Sequence, residues 1–135
     1  MSSLKQIKLA QKTAGQHQQV IAELNELVKD IERCERTMDS LQKELQAVNG
    51  RHQGPRNTRQ DIAYLTELLE CAKKKLAWEK LIGSLQKRTP EVLEKISRLL
   101  HDPVNPPSEQ TRATMIQALQ SVQAAMERLQ QVKVE

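Results

Sequence analysis

Apolar residues recur at alternating three- and four-residue steps through the N-terminal part of the chain. With His17 at position a of a heptad, the a line reads His17, Leu24, Ile31, Met38 and Leu45. The d line reads Val20, Leu27, Cys34, Leu41 and Val48. Nine of these ten positions are apolar, His17 being the exception. Such a sustained repeat predicts one long helix over residues 1–49 carrying a coiled-coil seam. The e line changes character along this helix. Ile7, Ala14, Ile21 and Val28 are apolar, whereas Glu35 and Gln42 are polar. The helix therefore starts with a wide apolar face and ends with a narrow one. A wide face suits a helix with several neighbours, and a narrow stripe suits one with a single close partner.

Asn49-Gly50 supplies a helix stop, with Gly50 as the expected left-handed cap, and residues 50–57 form a polar, basic loop. Thr58 to Asp61 has the spacing of a capping box and opens a second helix over 58–88. On that helix Ile62, Leu65, Leu69, Ala72 and Leu76 form one face. Trp78, Leu81, Ile82 and Leu85 lie about half a revolution away at ~100° per residue. This predicts either neighbours on both sides or a kink near 73–83. Thr89-Pro90-Glu91 resembles a helix start and predicts a short helix over 89–102. A Pro-rich linker, 103–107, then leads to a final helix over 108–135 capped by Ser108. Its seam is Met115, Leu119, Val122, Met126 and Leu129, widened by Ile116, Ala118, Ala125 and Val132.

The expected fold is all-α: an elongated antiparallel helical hairpin or coiled coil with a long N-terminal helix, folding into a three- to four-helix bundle as one structural unit. A second helix that stops at residue 88 reaches only the C-terminal part of the first. Even with the later helices the wide face is then incompletely covered, so Ile7, Ala14, Ile21 and Val28, together with Trp78, are the expected partner interface.

Composition agrees with this picture and removes others. One Trp, one Tyr and no Phe leave little for an aromatic core, and four Gly leave little for a phosphate-binding loop. His17, His52 and His101 lack a second ligand at metal-binding spacing, so no metal site is expected. His17 reads as a polar seam residue that sets register. Cys34 and Cys71 read as buried thiols rather than nucleophiles or a disulfide. No catalytic constellation and no cofactor site is expected, and the chain is read as non-enzymatic.

Charge adds an alternative. The net charge is +4, unevenly spread. Residues 23–49 hold seven acids against four bases, whereas 50–60 hold three Arg and no acid. Arg51, Arg56 and Arg59, with Lys73, Lys74 and Lys75, are candidate contacts to an anionic surface such as nucleic acid, a microtubule or lipid headgroups. The leading expectation is a coiled-coil scaffold or adaptor subunit that binds helices of other proteins in a larger complex. A homodimeric coiled-coil spacer is the third reading. Hetero-oligomers are favoured over a homodimer, and nucleic acid or a membrane surface is the weaker choice of partner. With no secretory leader and no apolar run of the ~20 residues needed to cross a bilayer, an intracellular chain, cytoplasmic or nuclear, is expected.

Overall fold

The computed structural model describes residues 3–131. These form three helices: α1 (Ser3–Arg51), α2 (Thr58–Leu100) and α3 (Glu109–Gln130), with no strand among the described residues. Residues 132–135, expected to continue the last helix and including Val132 of its widened seam, lie outside the described residues, as do residues 1 and 2. At 1.5 Å per residue α1 is ~73 Å long, α2 ~64 Å and α3 ~33 Å.

α2 runs back along α1. Four ion pairs mark the register: Glu23–Lys95, Asp30–Arg88, Glu44–Lys74 and Arg51–Glu67. On both helices these positions fall on one seven-residue repeat. The step between Asp30 and Glu44 is filled by Thr37 on α1, and that between Lys74 and Arg88 by Leu81 on α2. Individually such exposed pairs contribute little, about 0–1 kcal/mol. As a series they mark one unbroken alignment over almost the whole of α2.

That alignment corrects the expected break. No second helix ends at residue 88 and no separate helix starts at Thr89, because α2 passes through Pro90. Thr89 is a buried interior residue, and its hydroxyl donates to the carbonyl of Leu85 at 2.7 Å. Pro90 lacks the N–H that would bond the carbonyl of Gln86, a loss that usually breaks or kinks a helix. Here Leu85, Val92 and Ile96 on either side are buried in the core, and Pro90 itself faces solvent. Tertiary packing thus holds the segment helical against its local preference. Replacing Pro90 by Ala is expected to raise stability by roughly 1–3 kcal/mol. A melting temperature unchanged or lowered in that variant would argue that the proline is part of a required bend.

The ends of the helices also differ in detail from the expected caps. α1 continues through Gly50 to Arg51. The left-handed residue is Gly54, with φ 89°, immediately before Pro55, whose ring disfavours helical backbone in the residue preceding it. The capping box lies one residue upstream of the expected one. The Asn57 side chain accepts from the backbone N–H of Gln60 at 2.9 Å, and the Gln60 side chain accepts from that of Asn57 at 3.0 Å. Asn ranks above Thr as a cap, and Gln60 can complete the box. Ser108 caps α3 as expected, accepting from the N–H of Thr111. In the connection before it, Asp102 accepts from the N–H groups of Val104 and Asn105, closing a side-chain turn.

The core lies in two parts. Val20, Leu24, Leu27, Ile31 and Cys34 of α1 meet Leu85, Val92 and Ile96 of α2 and Met115, Ala118, Val122, Ala125 and Leu129 of α3. Farther along, Met38, Leu41 and Val48 meet only Cys71, flanked by Leu45, Tyr64, Leu68 and Trp78. The molecule thus has a three-helix end and a two-helix end. The change falls between Cys34 and Met38, after the e line of α1 has turned from apolar Val28 to polar Glu35. Trp78 packs against both clusters.

Candidate functional site

The expected interface divides in the structure. Ile21 and Val28 are half-buried against the three-helix core, so this part of the wide face is covered by the chain itself. Trp78 is likewise half-buried, and its indole N–H donates to the carbonyl of Cys34 at 2.8 Å. It anchors α2 to α1 rather than standing free. Trp78 is turned inward because α2 presents its Trp78 face to α1, and Ile21 and Val28 pack against the core that α1 shares with α2 and α3. Ile7 and Ala14 remain exposed on the N-terminal segment of α1, beside Leu4 and Leu9. All of residues 3–12 are exposed. The expected seam of α1 is buried from Val20 to Val48, except for half-buried Leu45.

α2 carries the main surprise. Its side toward α1 is a seven-residue repeat: Tyr64, Cys71, Trp78, Leu85, Val92 and Leu99 on one line, and Leu68, Lys75, Ile82, Thr89 and Ile96 on the other. Most of these are buried or half-buried; Lys75 is exposed. The other apolar face, which has the cleaner heptad spacing, points to solvent. Ile62 is 62% exposed, Leu65 64%, Leu69 56% and Leu76 54%, and Ala72 between them is also exposed. Bare aliphatic side chains in heptad register over about four turns form a coherent apolar surface rather than scattered singles. Beside this stripe a shallow cavity of about 200 Å³ opens between the helices, lined by Met38, Leu41, Leu45, Leu68, Cys71 and Ala72, with Gln42 and Lys75 at its polar margin.

The basic residues proposed for an anionic surface are mostly engaged within the chain. Arg51 pairs with Glu67, Arg56 with Asp61, Lys73 with Glu70 and Lys74 with Glu44. Arg59 and Lys75 form no ion pair among the described residues. The loop end is knitted together by Tyr64. His52 stacks on its ring at 5.0 Å, the Arg56 guanidinium lies 4.5 Å from its centre, and its hydroxyl donates to Asn49 at 2.7 Å. The hydrogen bond with His52, and then that from Arg51, hold the Glu67 carboxyl below its usual range. Tyr64 therefore belongs to a structural clasp that the sequence did not disclose, because its partners lie in the loop and at the end of α1.

Both cysteines are free and buried. Burial, seconded by Asp30, pushes the Cys34 thiol up, and burial, seconded by Glu44, does so for Cys71. Each is thereby held in the protonated, unreactive form. His17 is 7% exposed, and its Nε2 has no partner among the described residues. No group of His, Cys, Asp and Glu among the described residues is arranged to hold a metal ion. No helix there is long and apolar enough to cross a membrane. A second cavity, of about 380 Å³, lies between α1 and the end of α2 and is bordered by Gln16, Glu23, Lys95 and Arg98. No protein-family model, no curated protein and no solved structure matches this chain.

Proposed function

We propose that this chain is a non-enzymatic helical adaptor, an elongated antiparallel coiled-coil hairpin closed at one end into a three-helix bundle, that binds a helix of another protein. The observation that carries the reading is the exposed heptad stripe Ile62, Leu65, Leu69, Ala72 and Leu76 on α2. Leaving these aliphatic side chains half or more in water forgoes roughly 1 kcal/mol apiece that burial would return. A second helix laid along the stripe recovers it, because heptad spacing is what a helical partner matches. The mechanism is packing, and no bond is made or broken. The anionic-surface alternative draws little support from Arg51, Arg56 and Lys74, whose charges already face carboxylates.

The decisive experiment substitutes Leu65→Glu and Leu69→Glu together. Both side chains are exposed, so helicity by circular dichroism is expected to survive. Co-purifying partners are expected to be lost, and the mass of the recovered complex to fall to that of the chain alone. The same partners retained at wild-type level would reject the stripe as the binding face. The pair Ile7→Glu and Ala14→Glu tests the N-terminal segment by the same readout.

A further inference from the structure

The adaptor reading leaves open what kind of helix the stripe accepts, and the charges beside it answer that. Place Ile62, Leu69 and Leu76 at one core position of a heptad and Leu65 and Ala72 at the other. Lys73 and Lys80 then occupy the flanking position on one side, and Lys75 the flanking position on the other. Flanking positions are where paired helices exchange charge and choose partners. Lys75 and Lys80 form no ion pair among the described residues, and Lys73 meets only Glu70 of its own helix, at 3.3 Å with both side chains exposed. Across the adjoining cavity, α1 presents Gln42 at its rim, not a carboxylate.

A second copy of this chain does not answer these lysines well. Its extended exposed apolar faces are the same stripe and the N-terminal segment around Leu4, Ile7 and Leu9, with Val104 and Ile116 exposed singly elsewhere. The latter is flanked by Lys5, Lys8 and Lys12, with no acid before Glu23. At the far end of the stripe, Asp61 is committed to Arg56, and Glu67 to Arg51 and His52. Glu79, which has no ion pair among the described residues, sits at the lysine end itself. The acids of α1 at Glu23, Asp30 and Glu44 are spent on α2.

We propose that the Ile62–Leu76 face of α2 docks an amphipathic helix of another protein whose flanking positions are acidic. This rests on the adaptor reading and names the chemistry of its partner. The partner's apolar positions cover Leu65, Leu69 and Leu76, and its carboxylates meet Lys73, Lys75 and Lys80.

The test uses the full chain and two labelled peptides of about three heptads, identical in their Leu and Ile core positions. One carries Glu at the flanking positions and the other Lys, and binding is followed by fluorescence anisotropy. The acidic peptide is expected to bind on the order of tenfold more tightly than the basic one, with the gap shrinking as salt is raised. Reversing the charges with Lys73→Glu, Lys75→Glu and Lys80→Glu is expected to invert that order. Leu65→Glu with Leu69→Glu is expected to abolish binding of both peptides while circular dichroism stays unchanged. Equal affinity for both peptides, lost on stripe substitution, would overturn the acidic partner while the adaptor reading stands. Binding of neither peptide, or binding indifferent to Leu65 and Leu69, would overturn the proposal for this face. In that case the co-purification result decides the adaptor reading separately. A dimer of the chain alone that dissociates on stripe substitution would name a second copy as occupant and would likewise overturn it.

Discussion

Leu24→Ala is expected to destabilise the chain by roughly 2–5 kcal/mol, while Leu69→Ala is expected to change stability by less than about 0.5 kcal/mol. The two leucines are equal in hydropathy, and each lies on a heptad line of a long helix. They differ only in what covers them. Leu24 is 0% exposed in the core shared by all three helices, whereas Leu69 is 56% exposed. Truncating Leu24 removes its transfer free energy and leaves a cavity that three rigid helices cannot easily close. Truncating Leu69 removes atoms already in contact with water. Urea unfolding of the two variants measures the difference directly. Similar losses at both sites would mean that the stripe is covered in the free protein, and the account of α2 would fail.

The second large effect is expected at Trp78. Its ring packs against both core clusters, and its N–H reaches the carbonyl of Cys34. Trp78→Ala is expected to cost about 3–5 kcal/mol, and Trp78→Phe, which loses chiefly the hydrogen bond and some area, about 1–2 kcal/mol. The loss should also be uneven in space. The two-helix end has a smaller core, and Trp78 is its link to the three-helix end. Amide exchange in the Ala variant is therefore expected to quicken more at residues 38–51 and 58–75 than at 17–31. Uniform acceleration along α1 would show that the two ends unfold as one unit without help from this side chain.

The seam of α1 was legible because its pattern is local and complete. Leu24, Leu27, Ile31 and Met38 are buried where the heptad placed them. The shift from a wide face at Val28 to a narrow one at Glu35 was legible too, and the passage from three helices to two follows it, between Cys34 and Met38. What it meant was less plain. A wide face reports how much of a helix must be covered, not whether the cover belongs to the same chain. For Ile21 and Val28 it does. The misplaced break at Thr89 has a different origin. Thr-Pro-Glu carries a strong local signal for a helix start, and only the partner positions on α1 outweigh it. A clue was nevertheless present. Glu67, Lys74, Arg88 and Lys95 keep one seven-residue repeat straight through Pro90 and match Arg51, Glu44, Asp30 and Glu23 in reverse order. Reading it requires holding two helices against each other.

The candidate site was the least legible part, although each of its residues had been recognised as one face of α2. Ile62, Leu65, Leu69 and Leu76 look like the better seam, being purely aliphatic and regularly spaced. The face turned to α1 instead holds Tyr64, Cys71, Lys75, Trp78 and Thr89 among its aliphatics. By itself the sequence determined that the chain is helical, where its loops lie and which face of α1 is buried, since those follow from periodicity, capping and turn chemistry within a few residues. Only the tertiary structure decided which face of α2 meets α1, that α2 continues through Pro90 and that Ile21 and Val28 pack against the core shared by the three helices. The physical reason is that an amphipathic helix gains the same free energy from any well-fitting apolar neighbour. Register, ion pairing and the anchoring of Trp78 select among the neighbours the chain can offer itself, and they leave the stripe from Ile62 to Leu76 in water.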